Sequence, residues 1–184
     1  MVIGRANQRL ENKKLLFEYL VYLLEQWKQE KHPLSKETFS KLKLQKILFL
    51  VSSIKATSES HPLLDVFNKF YALPYGPVEI EIYEAMNNGS FRNISFCGND
   101  CKHSLNEQIF ADLGVSKKRA MHEAMQAIKE LGADYIIAPP FDLVDITHKW
   151  TSWQVAIQIA EMFGNKSEPM STEDIINSTV KAYK

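Results

Sequence analysis

The sequence predicts a mainly α-helical fold, a compact multi-helix domain with a small β element of one or two short strands. Three observations carry this. Apolar residues recur at helical spacing in about seven segments, strand-like character is confined to two short runs, and no alternation of strand and helix patterns marks a parallel sheet. At 184 residues, 45% of them hydrophobic, the chain suits a single domain over residues 1–184. A chain of that length buries roughly 70% of the surface its unfolded form exposes, enough for a core without disulfide or metal staples.

The elements follow in order. From about Asn7 to Gln29, Leu16, Leu20, Leu23, Leu24 and Trp27 share one helical face. Phe17, Tyr19, Val21 and Tyr22 widen that face, so this helix is expected at the centre, covered on two sides. Pro33 ends it, because proline disfavours helix in the residue before it. A second helix, about Thr38 to Thr57, turns Leu44, Ile47, Leu48 and Val51 inward and is expected to hold Lys41, Lys43, Lys46 and Lys55 on a solvated face. "NKFYAL", Asn68 to Leu73, reads as extended and leads into the corner "PYGP". Pro77 is expected in the first turn of a third helix, where its missing N–H is harmless, with Glu79 and Glu81 favoured by the helix dipole and "NNGS" as the stop.

"FRNISF" reads as a strand, and Cys97 to Gly114 as surface loop or insertion. Ser116 is the expected cap of a helix carrying Met121, Ala124, Met125, Ile128 and Leu131 up to Gly132. A short helix from about Phe141 follows the Pro139-Pro140 break. After a turn near Trp150, Ser152 is expected to cap a helix that ends at Gly164, and Ser171 with Asp174 has capping-box spacing for the last one.

Composition narrows the function. The 22 Lys+Arg and 22 Asp+Glu residues cancel, which leaves no net field to draw in nucleic acid or an acidic membrane. Residues 1–60 carry an excess of positive charge and residues 61–184 an equal excess of negative charge, a polarity able to orient a charged partner. No apolar run approaches the roughly 20 residues that span a bilayer, two cysteines make no disulfide framework, and the charged start lacks a signal peptide's apolar core; a cytoplasmic protein is expected.

Catalytic patterns are thin. Glu79, Glu81 and Glu84 sit on one expected helix with Glu79 and Glu81 about 200° apart, so the acids are expected to fan outward and not to flank a substrate. Cys97, Cys101 and His103 offer three zinc ligands where a structural site needs four; neither metal nor cofactor is expected. No phosphate-cradling glycine loop or nucleophile elbow occurs. His148 has two readings: a partly buried histidine tying a helix-to-helix turn through both ring nitrogens, or a base working with Asp142 or Asp145 in a hydrolase. A third reading places the lysine face of the second helix on DNA, against which zero net charge and the lack of an arginine cluster weigh.

The ordered set "KLKLQKILFL" at Lys41 to Leu50, "FYALPYGPVEIEIYEAM" at Phe70 to Met86 and "LVDITHKWTSW" at Leu143 to Trp153 resembles the Panacea domain, the SocA-like antitoxin family found in bacterial and prophage gene neighbourhoods. The resemblance covers about residues 40–164, with an N-terminal and a C-terminal helix expected to pack on that core. This chain departs from the family in having Ser152 where proline usually precedes the final tryptophan, Trp150 where a polar residue is common, and its own sequence over residues 90–114. The resemblance implies a non-enzymatic antitoxin that binds a cognate toxin encoded beside it, directly or by handing it to a cytoplasmic protease; self-association stays open. Tyr75, Gly76, Pro77, Tyr83, Thr147, His148 and Trp153 are the candidate contact residues, aromatic anchors being the residues that dominate interface energy, with packing of the corner and turn as the alternative role for each.

Overall fold

The computed structural model describes residues 2–184. It is mainly α-helical with a small β component, as the sequence predicts: eight α-helices among the described residues make up most of the 56% helical content. α1 (Val2–Lys31) and α2 (Lys41–Ile54) lead to a short α3 (Pro62–Val66). β1 (Phe70–Leu73) and β2 (Gly76–Glu79) form the corner and run into α4 (Ile80–Asn88). A hairpin of β3 (Ile94–Cys97) and β4 (Asp100–His103) and a 3-10 helix (Glu107–Phe110) precede α5 (Val115–Glu130). α6 (Pro140–His148), α7 (Thr151–Met162), β5 (Glu168–Met170) and α8 (Thr172–Ile176) complete the order.

α2, not α1, is the most enclosed helix. Every residue from Lys43 to Ser53 is buried, and α2 packs on α5, α6, β2 and α3. α1 lies against α4 and α5 with Leu16, Phe17, Leu20, Val21 and Leu24 fully buried. Phe49 anchors the centre, edge-on to Phe70 of β1 and to Trp150 ahead of α7. These side chains belong to one core cluster. Each such aromatic pair contributes about 0.5–1.5 kcal/mol beyond the area it buries.

The β element is larger than expected: five short strands in two sheets among the described residues. β1 is central in the order β2-β1-β5, antiparallel throughout, and β3 pairs with β4. Cys97 and Cys101 therefore lie in a hairpin where a loop was expected, and Cys101 is buried because the hairpin is sewn to the entry of α2, with Cys101 N–H donating to the Phe39 carbonyl and Lys41 N–H to that of Asn99. Among the described residues no group of three or more His, Cys, Asp or Glu is placed to hold a metal.

Several starts differ from expectation. Pro77 is in β2, not in the first turn of a helix. It pairs with Ala72 in an antiparallel ladder that alternates bonded and non-bonded residues, and its missing N–H falls at a position facing away from β1. Glu79 is the N-cap of α4, accepting from Ile82 N–H at 2.9 Å. α5 starts at Val115 without a side-chain cap, and α7 starts at Thr151, so Ser116 and Ser152 fall inside the first turns. The Ser152 N–H is taken up instead by the Ser178 hydroxyl, 3.0 Å away. The local signals that need no partner hold: Gly89 at φ +67 caps α4, and Ser171 with Asp174 forms a complete capping box on α8.

Candidate functional site

The Tyr-Gly-Pro corner is built from α2 outward. In a three-stranded sheet the outer edge of β2 presents unpaired backbone groups, a liability unless covered. Two α2 side chains cover it. The Gln45 amide oxygen accepts from Glu79 N–H at 2.9 Å and its NH2 reaches the Glu79 carbonyl at 3.5 Å, which imitates a neighbouring strand. Lys46 Nζ donates to the Pro77 carbonyl at 2.8 Å. Both residues belong to "KLQK", and the corner they cap lies more than 30 residues away.

This overturns the expected solvated lysine face. Lys46 is fully buried, and Lys43 is buried with its ammonium donating to the Ile136 carbonyl. Only Lys55 of the four is exposed; Lys41 is half-buried and donates to Asn87. Burial holds Lys46 down to about 7 and lowers Lys43 as well, because neither ammonium is paired with a carboxylate by direct contact.

Gly76 sits where nothing else fits. Its φ is +92, and a Cβ there would meet Thr147 Oγ1 at 2.6 Å and Lys46 Nζ at 3.2 Å. Thr147 is buried, its hydroxyl donating back to the Val144 carbonyl. The Gly-Pro, the α2 lysine and the Thr-His turn thus form one packed unit, and Gly76, Pro77 and Thr147 lie in its interior.

His148 and Trp153 form the outer layer. Their rings stack at 3.8 Å with an 8° interplanar angle, and Trp153 Nε1 donates to the Leu73 carbonyl at 3.1 Å, tying α7 to β1. His148 Nε2 is buried and has no hydrogen-bond partner among the described residues, so the expected tie through both ring nitrogens is not made there. Burial first, and the nearby Lys46 charge second, hold the imidazole below its usual value, against the opposing pull of Asp145 and the Pro74 backbone. No hydrogen bond joins His148 to Asp142 or Asp145 among the described residues.

Tyr75 projects from the tip of the β1–β2 turn, 62% exposed, and meets Phe141 of α6, 60% exposed, edge-on with ring centroids 6.1 Å apart. Phe141 was not among the residues singled out from the sequence; its signal was a large apolar residue directly after the helix-starting Pro140. Tyr83 does not join this group. It is 37% exposed on α4, an element that packs on α1, β2 and β3.

Glu84 is exposed, but Glu79 and Glu81 do not fan outward. Glu79 and Glu81 both meet the Lys13 ammonium of α1, Glu79 at 2.5 Å, and Arg9 binds Glu81 from outside. Because Glu79 precedes the helix, the helical angle between the two does not apply. Glu79 is fully buried and also accepts from Lys69 N–H, so its oxygens are engaged by Lys13 and by backbone. Burial would raise Glu81, but Lys13 and Arg9 hold it below the usual carboxylate range. Among the described residues neither acid pairs with a histidine.

Fold and corner define a class: a mainly helical protein whose central helix closes the edge of a small antiparallel sheet and fixes an exposed aromatic turn above it. The chain belongs to the antitoxin SocA-like, Panacea domain family, whose family model matches residues 44–154, more than half of its length. No curated protein and no solved structure matches it. Among the described residues no helix is long and apolar enough to cross a membrane.

Proposed function

We propose that this protein is an antitoxin that works by binding, not by catalysis, and that it holds a cognate toxin protein on the aromatic ledge of Tyr75 and Phe141. Membership of an antitoxin-like family carries the reading. The ledge supports it: two large rings, each about 60% exposed, meet where the β1–β2 turn lies beside α6, over the buried Gly76–Thr147–Lys46 unit and the His148–Trp153 stack. A rigid aromatic pair loses little side-chain freedom on binding, which is why such residues act as anchors. Gly76, Pro77, Thr147, His148 and Trp153 then position the ledge, Tyr75 touches the partner, and Tyr83 lies on another face.

The toxin is expected to be encoded beside this gene, and the test is co-expression with that neighbour's product. The neighbour alone should arrest growth and the pair should restore it. Tyr75→Ala with Phe141→Ala should weaken the complex by at least about 30-fold, a loss of roughly 2 kcal/mol, with an unchanged melting temperature. Full rescue by that double variant rejects the ledge, and a harmless neighbour or a pair that neither binds nor rescues rejects the function. The toxin's steady-state level separates the two routes: unchanged when binding blocks it directly, reduced when it is delivered to a cytoplasmic protease.

A further inference from the structure

Val155, Ile159, Met162 and Phe163 are 51%, 36%, 81% and 74% exposed; the spacing of four and three puts the first three on one face of α7, and Phe163 follows directly as its C-cap. Scattered exposed apolar residues are ordinary, but a contiguous stripe on one helix marks an interaction surface. Val155 and Ile159, with Ala156, wall a groove of about 360 Å³ whose opposite side is Glu168 and Pro169 of β5 and whose far end is Asp174 and Asn177. Met162 and Phe163 continue the stripe past it. Apart from its beginning at Thr151 to Ser152, this surface lies outside residues 44–154.

Two features define the occupant. β5 is the free edge of the sheet, yet Pro169 stands opposite Tyr71 in the register, so the position facing outward has no N–H to offer an added strand. An extended segment is therefore disfavoured, whereas a helix needs no backbone partner and packs its own ridges along α7. Both charged residues that line the groove are acidic, Glu168 and Asp174; Lys149, Lys166 and Lys181, each two residues from a lining residue, do not line it. Glu173, next to Asp174 in α8, is exposed, and neither it nor Glu168 forms an ion pair among the described residues. A second copy of this chain would bring acid against acid.

We infer that the α7–β5 groove is a second docking surface, separate from the aromatic ledge, for an amphipathic helix of another protein with an apolar stripe flanked by lysine or arginine. The probe is a pair of fluorescein-labelled 15-residue model helices with the same leucine stripe, one flanked by lysines and one by glutamates, titrated with the full chain in fluorescence anisotropy. The lysine helix should bind, and the glutamate helix should bind on the order of tenfold more weakly or not at all. Val155→Asp with Ile159→Asp should abolish binding, while Tyr75→Ala with Phe141→Ala should leave it unchanged, which separates this surface from the ledge. Glu168→Lys, at a half-buried carboxylate on the edge strand, should narrow or reverse the charge preference in a chain whose melting temperature shows that it is folded. No binding, binding blind to charge, binding lost with the ledge variant, or a wild-type dimer in sedimentation that Ile159→Asp dissolves would each overturn the inference.

Discussion

Lys46 concentrates the physics of the corner in one side chain. Its ammonium is out of water and has a single described partner, the Pro77 carbonyl, so the charged form is disfavoured and the amine is held at about 7 against an ordinary value of 10.5. Between those two values the unfolded chain binds a proton that the folded chain refuses, so stability rises with pH across that window and levels off below it. The slope contributed by this one group approaches about 1.4 kcal/mol per pH unit. Urea unfolding at pH 7, 8 and 9.5 should therefore show the wild type gaining on Lys46→Met as pH rises. Lys43, also lowered by burial, acts equally in both proteins and drops out of the difference. Parallel pH profiles for the two proteins would mean that Lys46 keeps its ordinary value in the fold.

At the level of elements, α2 and β2 form one unit through side chain to backbone bonds. Gln45 alone satisfies a donor and reaches the acceptor on the outer edge of β2. Gln45→Leu preserves the helix and fills similar space but leaves the Glu79 N–H buried and unpaired, which costs about 1–3 kcal/mol. Denaturant unfolding should register that loss, and hydrogen exchange should localise it, with the Glu79 amide losing protection while amides in the middle of α1 do not. Element ends show how far the sequence is legible. Gly89, Gly132 and Gly164, at φ near +70, and the Ser171–Asp174 box are readable because a cap is decided within a few residues. Pro77 is not readable that way: proline suits a helix start and a strand edge equally, and the ladder to Ala72 decides between them.

Across the whole molecule, α1 is bound to the family core by a buried ion cluster. Lys13 reaches 66 residues along the chain to Glu79 and also meets Glu81, while Glu18 accepts from the Arg92 and Asn93 backbone N–H groups ahead of β3. Removing one partner of such a cluster strands the others in low dielectric. Lys13→Met is expected to lose roughly 3–5 kcal/mol in chemical unfolding, and Lys13→Met with Glu79→Gln and Glu81→Gln to recover part of that loss. A triple variant no more stable than the single one would show that the carboxylates gain nothing from losing their charge. The candidate site was legible in part for the same long-range reason. Tyr75, His148 and Trp153 stand out as aromatic or titratable residues at turns, but Phe141 joins Tyr75 only because α6 packs beside the corner, and Tyr83 stays apart because α4 turns to α1.

By itself the sequence determined the helical class, the order of most elements, the Panacea motif set and the helix stops, since periodicity, capping and backbone restriction act over a few residues. Tertiary structure alone decided that two lysines of α2 are buried, that the β1–β2 corner is a strand edge, and that Glu79 and Glu81 converge on Lys13. In each case a side chain's environment depends on which distant backbone group or charge it meets, and that is fixed only when the elements pack.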